Sequence, residues 1–246
     1  MRQTNTQYSN FNSMCTVTFL PLVKNNFILT SNRDEQRLRE TLAPKKYHEN
    51  GVEMLFPKDK TAGGTWIGTS SKNRLVCVLN GGFVNHIKRD SYKKSRGVIA
   101  KEILKTATFN KYIEHLNLDG IEPFTMVIVD WNDTKLDLYE LIWDEIKIHF
   151  TKLENTPKIW SSSTLYKNEM KETRKQWFED WIASNEFTSS TILKFHHSEI
   201  GDKEQSVLMK RSYVETVSIT SVKKEDATLE MLYEDVVHKA KTLSTF

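Results

Sequence analysis

The sequence predicts an α+β protein built on largely antiparallel sheets. Strand-like apolar runs come in neighbouring groups, with helical patterns in pairs between them. The strand–helix alternation of a doubly wound sheet is absent. A length of 246 residues, 38% hydrophobic and 27% charged, suits one sizeable globular core.

Cys15 to Leu20 is an apolar run that reads as a first strand. Phe27 to Thr30 reads as a second, entered through the polar turn Lys24-Asn25-Asn26. The stretch Ser31-Asn32-Arg33-Asp34-Glu35 that follows reads as a polar loop. Ala62-Gly63-Gly64 is a glycine turn running into a strand at Thr65 to Gly68. Leu75 to Leu79 reads as a buried strand ending in Asn80-Gly81-Gly82. Helices are predicted over 96–105, where Val98, Ile99, Ile103 and Leu104 are the apolar positions, and over 111–116. Phe124 to Trp131 is a strand closed by the Asn132-Asp133 turn, and 136–143 and 146–150 continue the meander. The spacing of Met170, Trp177, Phe178, Trp181 and Ile182 predicts a helix over 166–183. These aromatics read as a helix–sheet contact. A further helix is expected over 188–196, a hairpin over 206–211 and 213–222, and a closing segment over 229–233.

Composition excludes several function classes. A net charge of +3 is too small to predict nucleic-acid binding. The locally basic stretch from His86 to Arg96 reads as a solvated loop, with an anionic ligand as the other reading. No run reaches the length of a membrane span, so no integral membrane segment is expected. Two cysteines, Cys15 and Cys77, form no disulfide framework and point to a reducing, cytoplasmic location. Their spacing with the histidines matches no zinc pattern, so no metal is expected. His196 and His197 are neighbours that point apart on a helix, which argues against joint ligation.

Cys15 carries the sharpest chemical reading. It follows Met14, and a chain that starts there and loses the methionine begins with a cysteine. The free α-amine, with a pKa of roughly 7.7–8.0, would then be the base for the thiol. The plainer reading is a small buried cysteine. An arginine in the stretch after the second strand would return beside Cys15 if the two strands pair antiparallel. It would lower the thiol pKa and orient a carbonyl, and the aspartate next to it could hold the α-ammonium. Asn80 beside glycine backbone suits an oxyanion hole, although Asn-Gly-Gly is also a plain turn. The segment 1–13 is a polar extension without the apolar core of a secretory signal. We expect it to be absent or removed, leaving one domain over 14–246.

Four motifs occur in order: Met-Cys-Thr-Val-Thr-Phe from Met14, Thr-Ser-Asn-Arg-Asp-Glu ending at Glu35, Ala-Gly-Gly-Thr-Trp-Ile-Gly ending at Gly68, and Leu-Asn-Gly-Gly ending at Gly82. In these the chain resembles the NRDE family, also called the Transport and Golgi organisation 2 family. That family is similar to the N-terminal nucleophile hydrolases with a cysteine. The resemblance implies a four-layer αββα sandwich and cleavage of a non-peptide amide. It implies Cys15 as nucleophile, Arg33 and Asp34 flanking it, Asn80 as oxyanion donor and Arg211 as a late arginine near the nucleophile. Asn32, Trp66, Gly81 and Gly82 would meet the substrate. Where the hydrolases have a second asparagine, this chain has Ser161-Ser162-Ser163. The partner expected is a small-molecule amide or lipid-like ligand, with no cofactor. The alternative reading is a non-catalytic binding or trafficking protein that takes haem or a lipid-related metabolite in the same pocket.

Overall fold

The computed structural model describes residues 14–163 and 168–246. In chain order the strands begin with β1 (Met14–Pro21), β2 (Phe27–Glu35), β3 (Thr41–Glu49), β4 (Val52–Asp59), β5 (Ile67–Ser70) and β6 (Arg74–Asn80). Helices α1 (Arg96–Lys105) and α2 (Phe109–Glu114) precede β7 (Phe124–Trp131), β8 (Leu136–Trp143), β9 (Ile148–Leu153) and β10 (Lys158–Ser161). Helices α3 (Asn168–Ser184) and α4 (Ser189–His196) precede β11 (Glu215–Glu225), β12 (Thr228–Asp235) and β13 (Ala240–Thr245).

The strands form two antiparallel sheets. One has the order β10-β1-β2-β11-β12-β13, and the other runs β3 to β9 in chain order. Period-two alternation explains how they stack. Cys15, Val17, Phe19, Phe27 and Leu29 of the first sheet meet Leu55, Ile67, Leu75, Cys77 and Val127 of the second, forming the central core. The opposite face of the second sheet, with Val76, Val78 and Met126, is covered by Ile99, Ile103 and Leu104 of α1 and Phe109 and Ile113 of α2. The opposite face of the first, with Leu20 and Ile28, is covered by Phe178, Ile192 and Phe195 of α3 and α4. Each such side chain contributes roughly 1.5–3 kcal/mol on full burial. The result is the expected αββα layering.

Several elements depart from the sequence expectation. The Ser31–Glu35 stretch is not a loop but the second half of β2, which is buried along its whole length. A strand flanked on both sides by β1 and β11 and covered on both faces holds polar residues inside, where a local reading places them in water. Strands β3, β10 and β13 have no counterpart in the sequence reading. Each is rich in polar or partly exposed positions and lies at a sheet edge, so its pattern lacks the apolar run that marks a strand. Strand β4 is a further addition. Of the expected late hairpin, 206–211 is not a strand; Lys210 makes only an isolated bridge to Glu215. The first residues of the 166–183 helix lie outside the described residues. Among the described residues, no helix is long and apolar enough to cross a membrane.

Two glycines set the spacing between α1 and the loop before β5. A Cβ on Gly64 would lie 2.6 Å from the Gly97 carbonyl carbon, and one on Gly97 would lie 2.6 Å from the Thr65 oxygen. Only glycine permits this backbone-on-backbone contact. It brings the start of α1 onto the end of the central core, where the candidate site lies.

Candidate active site

The antiparallel register of β1 and β2 places Cys15 opposite Arg33 and Met14 opposite Asp34. The end of β6 brings Asn80 to the same place, the 62–66 loop brings Trp66, and the start of α1 brings Ser95, Arg96 and Gly97. These residues, with Glu35, Arg39 and Asp59, line a cavity of about 100 Å³. That is room for several water molecules, each of which needs about 10–15 Å³ of such volume.

Arg33 is fixed in this wall. Its Nη2 donates to Asp59 Oδ2 at 2.8 Å and its Nη1 to Thr41 Oγ1 at 3.2 Å. Its guanidinium carbon lies 4.5 Å from the centroid of the Trp66 ring. Arg39 shares the same Asp59 oxygen through Nε at 2.8 Å and reaches Glu35 through Nη1 at 3.0 Å. The other Asp59 oxygen accepts from the Thr61 and Ala62 amides at 3.0 and 2.8 Å. Asp59, at the end of β4, thereby ties the two sheets together at the cavity rim. Arg96 pairs with Glu122 at 3.2 Å.

Cys15 is buried, and burial pushes its thiol well above the ordinary range. The charges of Asp34 and Cys77 push the same way, while the Arg33 guanidinium and the Asp34 backbone N–H pull down without offsetting the burial. The thiol is therefore protonated at neutral pH and needs a base. No histidine stands among the described residues that line the cavity. Cys77, deeper in the core, is pushed up to about 12 by burial against a hydrogen bond with Ser31.

Asp34 points to the other side of β2, toward the α3/α4 layer. A bulge in β11 between Thr216 and Ser218 accompanies the bond from Thr216 Oγ1 to Asp34 Oδ1 at 2.5 Å. Asp34 Oδ2 is buried with no hydrogen-bond partner among the described residues. Burial pushes the carboxyl up to about 7, against the Thr216 bond and the fields of Arg174 and Arg211. Unfolded, the same group titrates near 3.9. The folded chain thus holds an extra proton between those values. Its stabilising contribution is full below about pH 4 and is lost as pH rises through about 7. Asp34→Asn is expected to gain stability relative to wild type between about pH 5 and about pH 8. Urea midpoints at the two pH values check this, and a constant difference would contradict a buried, titrating Asp34.

A polar network lies behind β1 and β2. Asn32 donates to the carbonyls of His196 at 3.0 Å and Val207 at 2.8 Å. The His196 ring bridges Thr18 Oγ1 and Asn32 Oδ1, both at 2.7 Å. Burial depresses its pKa to about 3, so it is neutral. Fully buried Arg174 donates to Thr16 Oγ1 at 2.6 Å, to Gln205 O at 2.9 Å and to Ser206 O.

The structure thus brings Cys15, Arg33, Trp66 and Asn80 to one cavity, with Asp34 directly behind. It does not bring Asn32 there, because that side chain faces the helices. Gly81 makes the turn after β6, with φ +83°, and Gly82 packs on Trp143; neither lines the cavity. Arg211 is held by Glu204, its Nε 3.0 Å from the carboxylate, outside the lining. The serine run joins the site through its backbone. The Ser162 amide donates to Cys15 O at 3.0 Å, and its hydroxyl donates to Asn80 O at 2.6 Å. His196 and His197 point apart, the latter to Glu234 at 2.6 Å. Among the described residues no cluster of His, Cys, Asp or Glu is placed to hold a metal ion.

Sequence reasoning missed Asp59, Arg39, Arg96 and Arg174 as individual residues. Arg174 did leave a signal. It sits at helical spacing between Met170 and Phe178, on the apolar face of α3. Asp59, within Pro57-Lys58-Asp59-Lys60, reads as any charged turn.

Residues 14–240 match the sequence model of the Transport and Golgi organisation 2 family. Comparison with curated protein sequences finds no match. Among solved structures, the fold is similar to an N-acylethanolamine-hydrolyzing acid amidase orthologue from Caenorhabditis elegans. The TM-score is 0.55 at 12% identity, over 84% of this chain and 92% of that one. It is also similar to a single-residue variant of a conjugated bile acid hydrolase from Clostridium perfringens, with a TM-score of 0.53 at 10% identity, over 94% and 92% of the two chains. At such identities the likeness concerns the fold, the αββα sandwich of the N-terminal nucleophile hydrolases.

Proposed function

Because the chain belongs to the Transport and Golgi organisation 2 family and has the N-terminal nucleophile hydrolase fold, we propose that it is a cysteine amidohydrolase acting on a small-molecule amide. The observation that carries this reading is the convergence of Cys15, Arg33, Trp66 and Asn80 on one cavity. In the acting form Cys15 is the first residue. Its α-amine takes the thiol proton, the role that no cavity histidine fills. Asp34, one residue from the register partner of Cys15, offers its unpartnered Oδ2 to the resulting ammonium.

The thiolate attacks the amide carbonyl and forms a C–S bond. Asn80 and the indole N–H of Trp66, buried without a partner among the described residues, donate to the oxyanion. Donors of this kind contribute roughly 2.7–4 kcal/mol each. The ammonium returns its proton to the leaving nitrogen, the C–N bond breaks, and water hydrolyses the thioester. The small cavity admits the reacting amide, and the rest of the substrate lies outside it.

A second reading is favoured by one feature. When residues 1–13 remain attached, Cys15 has an amide nitrogen and no amine, and the site binds a ligand without cleaving it.

Intact mass and N-terminal sequencing, followed by incubation with a panel of N-acyl amides, test the proposal. A chain starting at Cys15 that gains an acyl mass and releases amine is the expected result. A chain starting at Cys15 that forms no adduct and turns over no amide would overturn it in favour of binding.

A further inference from the structure

The chain leaves the cavity at Asn80, runs without regular structure through 81–95 and rejoins the cavity at Ser95, Arg96 and Gly97. Connections of this length are uncommon in compact domains and are mostly functional or disordered. This one is tied down against the β8–β9 turn. A Cβ on Gly82 would lie 3.0 Å from the Trp143 oxygen. The Phe83 ring meets His149 edge-on at 4.7 Å, and Arg89 pairs with Glu145.

Although tied, the loop turns its large apolar side chains outward. Phe83 is 51% exposed, Val84 73% and Ile87 92%, and Ile146 in the neighbouring turn is 86% exposed. Ile146 borders a groove of about 550 Å³ with Leu116, Trp143 and Ile148 among its walls. Large exposed apolar side chains grouped on one loop and on the turn it is tied to mark an interaction surface. Lys88, Arg89, Lys93 and Lys94 stand in the same loop with one anion, Asp90. Arg89 is paired with Glu145 and Lys94 with Glu102, which leaves Lys88 and Lys93 outside the described ion pairs.

Apolar side chains interleaved with cations suit the boundary between anionic headgroups and acyl chains. We propose that loop 81–95 and the β8–β9 turn dock this protein on an anionic lipid bilayer. Phe83, Val84, Ile87 and Ile146 enter the interface, and Lys88 and Lys93 meet the headgroups. The docking is independent of any reaction at Cys15.

The test sediments the full chain with phosphatidylcholine vesicles, with and without phosphatidylserine, at low and high salt. The expected result is binding to the anionic vesicles and release by salt. Lys88→Gln lowers partitioning about fivefold. The double substitution Val84→Asp, Ile87→Asp abolishes it with an unchanged melting temperature, because both side chains are exposed. Three results would overturn the proposal: no binding to either vesicle, equal binding to both, or wild-type binding by the double variant. A dimer in solution that Ile87→Asp dissolves, without vesicle binding, assigns the face to a second copy and also overturns it. The salt response of the wild-type chain keeps the test decisive if the double variant fails to fold.

Discussion

Replacing Cys15 by alanine, in a chain that begins at residue 15, is expected to abolish amide turnover. Loss of a nucleophile is worth on the order of 10⁶ in kcat in a well-studied hydrolase. The acyl adduct seen by intact mass should vanish with it, while the melting temperature changes little. Cys77→Ala is the matched control. Cys77 is equally buried in the central core but does not line the cavity, and its loss should leave the adduct in place. The pH dependence follows from the same geometry. Burial keeps the thiol protonated, so the rate tracks the amine that takes its proton. It should rise with pH through the titration of an α-amine, ordinarily roughly 7.7–8.0, and not wait for the thiol itself. Full turnover by the Cys15→Ala chain would remove Cys15 from the mechanism.

The largest loss of stability is expected at Arg174. Its guanidinium donates to Thr16, Gln205 and Ser206 inside the α3/α4 layer. Arg174→Ala leaves the buried acceptors on Thr16 and Ser206 and the half-buried Gln205 carbonyl without that donor, at about 1–3 kcal/mol for each buried one, and opens a cavity as well. A loss of about 5 kcal/mol in urea unfolding is expected. Lys175→Ala on the exposed side of the same helix should change stability by less than about 0.5 kcal/mol. A second readout separates electrostatics from packing. The Arg174 field favours the charged form of Asp34, so the deficit of Arg174→Ala should widen as pH rises through about 7. A pH-independent deficit would mean that Arg174 acts by packing alone.

The Asn32 to Glu35 stretch illustrates what could and could not be read locally. Its place in an ordered set of motifs marked it for attention, and the antiparallel return of two adjacent strands correctly brought Arg33 to Cys15. Local chemistry, however, assigned these four polar residues to a solvated loop. In the structure they alternate across a central strand, with Arg33 and Glu35 at the cavity and Asn32 and Asp34 toward the helices. Glu35 pairs locally with Arg39, while Arg33, Asn32 and Asp34 reach Asp59, His196, Val207 and Thr216, all distant in sequence. Nothing in the spacing of residues 32–35 identifies those partners. The same holds for Ser162, whose amide and hydroxyl reach Cys15 and Asn80, and for Arg211, which pairs with Glu204 and does not line the cavity although its field reaches Asp34.

What the sequence determined by itself was the α+β class, the central strands, helix 96–105 and the set of motifs that belong together. These rest on periodicity, turn chemistry and motif order, which are all carried by neighbouring residues. Tertiary structure alone decided which face of β2 each motif residue occupies, which carboxylate holds Arg33 and which cations enter the cavity wall. Those outcomes depend on burial and ion pairing between segments far apart in the chain. A buried charge is tolerable only where the fold brings it a partner, as Asp59 does for Arg33.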